Sequence, residues 1–342
     1  MNHLLIMAGG VGSRFWPIST PEFPKQFIDV LGIGRSLIQM TYDRFAGIVP
    51  ASNVWVVTNA KYVDIVRQQL PEVPAANILA EPTARNTAPC IAWASWSIHA
   101  KDTQANIVVS PSDAVVMNVP EFQRIICQSL EFANHKNAIV TIGIKPNRAE
   151  TGYGYVETNL ETGEYIFPVF AFKEKPSVDV AEHYLKAGNF LWNAGIFVWN
   201  IRTIQHCIRH YKPNLANDMD ALMMGNSLEE IFPKCEKISI DYAVMEPAAK
   251  DGLVYTLPSD FGWSDLGNWQ SLHDKLEKDN DDNVKVGNVS FYECSQCLVH
   301  VENAKQVVLQ GLDGYIVAEK DGRLLICKRS EEQRIKEFSL NV

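Results

Sequence analysis

The sequence predicts an α/β protein: a mostly parallel sheet covered by helices, carrying an inserted β-hairpin and followed by a small all-β domain. Three observations lead there. Over residues 1–145 short β-branched runs alternate with longer helical patterns, as in βαβ units. Residues 153–157 and 168–173 then flank the turn-like Leu160-Glu161-Thr162-Gly163, which reads as a hairpin. After about residue 276 short strands take over.

In order, the strands expected in the first part are 3–7, 54–58, 107–110 and 138–142, with amphipathic helices near 61–70, 87–99 and 120–134. Helical patterns come after the hairpin at 179–187, 203–210 and 215–224, separated by Pro213 and by Gly225-Asn226. The polar run Glu277-Lys278-Asp279-Asn280-Asp281-Asp282-Asn283 reads as a linker or long turn. Beyond it strands are expected at 284–291, 297–301, 306–309, 315–319 and 324–328, then an amphipathic tail at 330–338. Their even spacing is of the kind that can coil as a β-solenoid. The domain expectation is therefore a catalytic α/β domain over 1–280 and a small β domain over 284–342.

Composition excludes several classes. With 342 residues and 46% hydrophobic content, the chain buries a core without disulfides or zinc. The formal charge of −9 disfavours nucleic acid, yet leaves room for a local cation cluster that holds a small phosphorylated ligand. Seven cysteines, odd in number and set mostly among apolar neighbours, point to a reduced, cytoplasmic protein. Met1-Asn2-His3-Leu4-Leu5-Ile6-Met7 has no basic leader and runs into glycines, so it reads as a strand and not a signal peptide. No stretch approaches the roughly 18 apolar residues of a membrane span.

The strongest local signal is Ala8-Gly9-Gly10-Val11-Gly12-Ser13-Arg14-Phe15-Trp16-Pro17, completed by Pro24-Lys25-Gln26-Phe27. Gly9, Gly10 and Gly12 allow positive φ and let backbone N–H groups turn toward a polyphosphate. Arg14 can fork across phosphate oxygens, and Lys25 can add a point charge. A plain strand-to-helix turn with a surface arginine is the competing reading. The spacing fits neither a Walker A loop nor the dinucleotide fingerprint.

Asp113 follows a predicted strand at the carboxyl end of a parallel sheet, where ligands bind in such folds. Taken alone, it serves equally as a helix cap. Asp265 lies in Gly262-Trp263-Ser264-Asp265-Leu266-Gly267. Two carboxylates meeting there would make a Mg²⁺ site with open positions for water and phosphate oxygens.

The glycine-rich stretch resembles the signature of sugar-1-phosphate nucleotidyltransferases. Its Phe-Trp-Pro and Pro-Lys-Gln-Phe details favour the mannose-1-phosphate guanylyltransferase branch. Further matches come in order: Glu81-Pro82-Thr83-Ala84-Arg85-Asn86-Thr87-Ala88, Pro111-Ser112-Asp113, Thr151-Gly152-Tyr153-Gly154-Tyr155, Phe172-Lys173-Glu174-Lys175-Pro176, Trp192-Asn193-Ala194-Gly195, Ser239-Ile240-Asp241-Tyr242 and the Asp265 loop. Together they cover about residues 1–275.

The resemblance implies a Rossmann-like, GT-A-like nucleotidyltransferase fold and transfer of GMP from GTP to mannose 1-phosphate, giving GDP-mannose and pyrophosphate with Mg²⁺. By resemblance, Asp113 and Asp265 hold the metal. Arg14, Lys25 and Lys175 are the catalytic cations. Gly9, Gly10, Gly12, Ser13, Arg85 and Asn86 complete the nucleotide side, while Gly154, Glu174, Lys175 and Asn193 meet the sugar phosphate. Many relatives carry His after the aspartate where this chain has Ala114. Longer relatives carry a C-terminal isomerase domain for which this chain has no room, so the transferase activity alone is expected. The β tail is expected to shape a homodimer. Two other readings stay open: another base or hexose 1-phosphate, and a regulatory subunit without turnover.

Three patterns are set aside. Cys294-Ser295-Gln296-Cys297 has no second ligand pair and reads as strand cysteines. His206 and His210 lack the adjacent glutamate of a zinc protease. Met219, Met223 and Met224 read as helix core.

Overall fold

The computed structural model describes residues 1–10, 13–160, 164–301 and 306–341. Its contacts form two compact units: Met1–Gly9, Thr41–Ser112 and Val116–Trp263 in the first, Gly10–Met40, Asp113–Val115 and Ser264–Val342 in the second. Among the described residues no helix is long and apolar enough to cross a membrane.

The first unit is built on nine strands: β1 (Asn2–Ala8), β2 (Val54–Asn59), β3 (Ile78–Glu81), β4 (Asn106–Pro111), β5 (Ile139–Ile144), β6 (Gly154–Thr158), β7 (Phe167–Glu174), β8 (Phe190–Asn200) and β9 (Val254–Ser259). They lie in the order β3-β2-β1-β4-β8-β5-β9-β7-β6, with β6 also pairing β8. From β3 to β4 every pairing is parallel. These strands read as apolar runs because both faces are buried, Leu4, Leu5 and Ile6 of β1 being fully so. Beyond β4 the sheet is mixed. Strand β8 runs antiparallel to β4 and β5, and the β6–β7 hairpin joins through antiparallel pairs, whereas β5 and β9 are parallel. The parallel expectation thus holds for one half of the sheet. The hairpin forms as expected; its Glu161, Thr162 and Gly163 lie outside the described residues.

Helices fill in around this sheet. Val119–His135 starts where the Asn118 side chain accepts from Glu121 N at 3.1 Å, and its buried Phe122, Ile125, Ile126, Leu130 and Ala133 recur at helical spacing. Thr87–His99 differs from the amphipathic expectation, for nearly its whole length is buried.

The second unit contains β10 (Val284–Val286), β11 (Val289–Tyr292), β12 (Leu298–Val301), β13 (Val307–Gln310), β14 (Tyr315–Lys320) and β15 (Arg323–Lys328). Strands β10, β12 and β14 pair in parallel, β11 and β13 form a second parallel sheet, and β15 closes β14 antiparallel. From β10 to β14 successive strands alternate between the two sheets, as in a β-coil. The single strand expected at 284–291 breaks at Gly287, whose φ of +105° is open to glycine and where a Cβ would strike the Val301 carbonyl. The polar run before β10 is a tied turn. Asp279 Oδ1 accepts from Asp281 N and Asn283 N, and the Asn283 amide bonds Cys294 O at 2.9 Å.

The units do not obey the boundary expected at 280–284. Phe15, Ile18, Ile28 and Val30, from the glycine-rich stretch and the residues just after it, share one apolar core with Leu298, Ile316, Ala318 and Leu325. Burial of these side chains, and not chain order, decides the grouping.

Candidate functional site

The second unit holds a cavity of about 540 Å³ that Arg14, Lys25, Asp113 and Asp265 all line. Arg14 rides on a single 3₁₀ turn, Ser13–Phe15, anchored by Phe15, which is buried with its ring 5.1 Å from that of Trp269. Lys25 opens the turn Lys25–Phe27, where Gln26 Nε2 donates to Gly10 O at 2.8 Å and Phe27 is buried. These contacts explain the residue types of Pro-Lys-Gln-Phe: an apolar anchor and an amide that pins the glycine backbone.

The two aspartates meet through an antiparallel bridge. Val115 N donates to Ser264 O at 2.8 Å and Ser264 N returns to Val115 O at 3.0 Å. Asp113 and Asp265 flank that bridge and so line one cavity. Asp265 Oδ1 also accepts from Gly267 N at 3.1 Å, which fixes its rotamer.

Lys25 ties the arrangement together. It is only 8% exposed, and its ammonium contacts Asp113 Oδ2 at 3.0 Å, Asp265 O at 3.0 Å and Leu266 O at 2.9 Å. Those three acceptors match the three N–H groups of an ammonium. Lys25 therefore holds the Asp113 carboxylate and the backbone of the Asp265 loop directly.

The donor set fits Mg²⁺. Two carboxylates supply hard oxygen ligands, and Asp113 is 36% exposed. No group of three or more metal-ligating side chains occurs among the described residues. Magnesium needs only one or two carboxylates when water and substrate phosphate complete its shell.

The first unit holds a separate cavity of about 470 Å³, lined by Asn86, Glu174, Lys175, Ser239 and Asp241 among others. Glu174 and Lys175 come from the end of β7. Lys175 has a left-handed φ of 45°, strained for a non-glycine residue, while its N–H donates to Tyr153 O at 3.2 Å and its ammonium to Glu174 Oε2 at 3.3 Å. Gly154 pairs with Glu174 in the β6–β7 register, and a Cβ there would collide with Glu174 Oε1. The glycine makes room for the glutamate carboxylate.

Asn193 sits where the β5–β8 register shifts, a bulge that re-aims a side chain. Its Oδ1 accepts from Gly195 N at 3.1 Å and Thr141 Oγ1 at 2.9 Å, which turns Nδ2 toward Asp241 Oδ1 at 3.2 Å. Burial, helped by the nearby Glu174 charge, pushes the Asp241 carboxyl up to about 6. Asp241 opens a π-helical turn, Asp241–Met245, a rare element frequent at functional sites.

The nucleotidyl transferase family model matches residues 3–282 of this chain. The chain belongs to that family.

Among the relatives of this nucleotidyl transferase is a mannose-1-phosphate guanylyltransferase of Salmonella typhimurium, 34% identical over 93% of the chain and 69% of the relative. Another is the xanthan biosynthesis protein XanB of Xanthomonas campestris, 33% identical over 97% of the chain and 71% of the relative. A solved structure described as a mannose-1-phosphate geranyltransferase, from Thermus thermophilus, superposes with a TM-score of 0.91 over 99% of this chain and 98% of that one, at 29% identity.

The structure also locates the remaining expected residues of the nucleotidyl transferase. Gly9 and Gly10 are described, and neither takes the left-handed φ anticipated for the loop. A Cβ at Gly10 would meet nothing within 4 Å among the described residues. Gly12 lies outside the described residues, and Ser13 is placed only by its backbone turn. Asn86 caps the helix Thr87–His99, accepting from Thr87 N at 2.8 Å, and lines the cavity of Glu174 and Lys175. Arg85 is half-buried, and its Nε has no hydrogen-bond partner among the described residues. Ala114 is buried and its methyl offers no donor in place of the family's histidine. Cys294 and Cys297 are buried free thiols donating to backbone carbonyls, but they lie in the connection between β11 and β12 and not in the strands expected.

Sequence reasoning misses three residues. Asp241 stands in a matched motif with no role assigned, although an aspartate between Ile240 and Tyr242 is a usable signal. Gln333 and Lys336 line the cavity of Arg14 and Asp265 from the far end of the chain, and no local pattern marks them.

Proposed function

We propose that this chain transfers GMP from GTP to mannose 1-phosphate, releasing pyrophosphate and forming GDP-mannose, in a Mg²⁺-dependent reaction. The observation that carries the reading is the cavity in which Arg14, buried Lys25, Asp113 and Asp265 converge. Its cations suit a triphosphate, and its two carboxylates suit the metal that accompanies one. The names and coverage of the relatives support the choice of substrates.

A phosphate oxygen of mannose 1-phosphate attacks the α-phosphorus of GTP, and the bond to the β-phosphate oxygen breaks as pyrophosphate leaves. The attacking phosphate is already ionised near neutral pH, so no protein nucleophile is needed. Catalysis is then positioning and charge neutralisation. Mg²⁺ held by Asp113 and Asp265 would neutralise charge on the reacting phosphates. Arg14 balances the departing pyrophosphate, and Lys25 keeps both aspartates in place. Lys175, exposed beside Glu174, draws the sugar phosphate, while Glu174 and Asp241 accept from sugar hydroxyls.

Pyrophosphate release measured for GTP or dTTP with mannose or glucose 1-phosphate, with and without Mg²⁺, tests this. The GTP–mannose pair is expected to turn over fastest, and only with metal. Equal rates across the four pairs would overturn the substrate assignment.

A further inference from the structure

The C-terminal segment reaches the nucleotide-side cavity. Gln333 and Lys336 line it together with Arg14, Lys25, Asp113 and Asp265. The contact is built, because Ile335, beside Lys336 on the helix Ile335–Phe338, is fully buried in the core that also takes Phe15. The segment is tied at two further points. Arg329 donates to Gln296 O and Gln270 Oε1, each at 2.7 Å, and Glu332 Oε2 accepts from Gln270 N at 2.9 Å. Gln270 belongs to the helix Trp269–His273, which begins just after the Asp265 loop. Anchors at Arg329, Glu332 and Ile335 therefore hold Lys336 at the cavity.

Its charge is uncommitted. Lys186, Lys212, Lys250 and Lys278 each pair with a carboxylate. No carboxylate lies within ion-pair distance of Lys336 among the described residues, nor of Arg14. Of the three cations in this cavity, Lys25 is already engaged with Asp113. Arg14 and Lys336 thus face the cavity with no carboxylate at ion-pair distance among the described residues, although Arg14 also feels the charge of Glu332. That arrangement calls for an anionic ligand with charge on several oxygens.

We propose that Lys336 is a phosphate-binding residue that, with Arg14, holds the pyrophosphate portion of the nucleotide. The proposal rests on the nucleotidyl-transfer reading of the same cavity. The C-terminal segment then completes the site in addition to any structural part it plays.

The test compares wild type, Lys336→Ala, Lys336→Arg and, as a control for lost charge, Lys186→Ala. Calorimetric titration with inorganic pyrophosphate and Mg²⁺ is followed by steady-state kinetics in GTP and in mannose 1-phosphate. Lys336→Ala is expected to weaken pyrophosphate binding and raise KM for GTP about tenfold, the size of a lost charge-assisted contact. KM for mannose 1-phosphate stays put, and Lys336→Arg recovers most of the loss. Equal pyrophosphate affinity in wild type and Lys336→Ala, or the same loss in Lys186→Ala, would overturn the assignment. Because the titration needs no turnover, it stands apart from the reaction reading, which fails instead if wild type releases no pyrophosphate from GTP and mannose 1-phosphate.

Discussion

In the second unit's cavity three cations, Arg14, Lys25 and Lys336, face two aspartates, and one cation is buried where it organises them. In the first unit's cavity Glu174 and half-buried Asp241 crowd each other, and both lysines, Lys175 and Lys237, are exposed. The first arrangement suits a ligand that is mostly phosphate, and the second a ligand that is mostly hydroxyl with one phosphate. A chain of net charge −9 can serve both by concentrating uncommitted cations in one place. Substitutions can break that contrast, the largest expected effect coming first.

Asp265→Asn removes one of the two carboxylates proposed to hold Mg²⁺ and leaves the Gly267 N–H bond to the side chain possible. Turnover is expected to fall on the order of 10³-fold, the scale of losing a principal electrostatic stabiliser. A Mg²⁺ titration of pyrophosphate release checks it, and an unchanged metal dependence would remove Asp265 from the metal set. Lys25→Met comes next. It strands Asp113 and the carbonyls of Asp265 and Leu266. Breaking a half-exposed pair and stranding two carbonyls costs about 2 kcal/mol, so a Tm lower by about 4 °C should accompany a kcat fall of about 100-fold. A kcat loss with no change in Tm would mean that Lys25 works on substrate and not on the aspartates.

On the carboxylate side the effects should fall on the sugar. Asp241→Asn is expected to raise KM for mannose 1-phosphate about tenfold, as for one lost charge-assisted hydrogen bond, with KM for GTP unchanged. The pH dependence sharpens this. Burial first and Glu174 second raise the Asp241 carboxyl to about 6, so it is ionised above that value and neutral below. In wild type, KM for the sugar phosphate should climb as pH falls through 6, while the Asn variant stays flat there. Parallel curves would show that Asp241 does not face the sugar.

The kind of contact each residue makes decides how much of this is legible in the chain. Strands β1, β2, β4 and β5 are apolar runs bounded by turn residues, and their ends fall within two residues of the expected ones. Strand β8 escapes, because its bulge at Asn193-Ala194-Gly195 breaks the run that would mark a buried strand. Strand β3 has only four residues, too few for a period. Paired motifs such as Gly154 with Glu174 identify neighbours across the β6–β7 pair, where the space the glycine leaves is filled by the glutamate carboxylate. Lys336 and the shared core of Phe15 with Leu298 join the two ends of the chain, and no spacing rule reaches that far.

The smallest effect on turnover, and one on stability alone, concerns a carboxylate outside both cavities' linings. Glu81, at the end of β3, is buried, and its Oε1 has no hydrogen-bond partner among the described residues. Asp113, by contrast, has the Lys25 ammonium against it. Burial raises the Glu81 carboxyl from 4.5 to about 7. Between those values the folded protein keeps a proton that the unfolded chain has released, so stability falls as pH rises through this window. The full loss is on the order of 3 kcal/mol, complete once the pH passes the folded value. Glu81→Gln should abolish that slope and leave the variant the more stable form at pH 7.5, though little different at pH 4.5. Calorimetric Tm values between those limits check it. If wild type and variant run parallel, Glu81 ionises as an ordinary carboxylate and burial without a cation is not what separates it from Asp113.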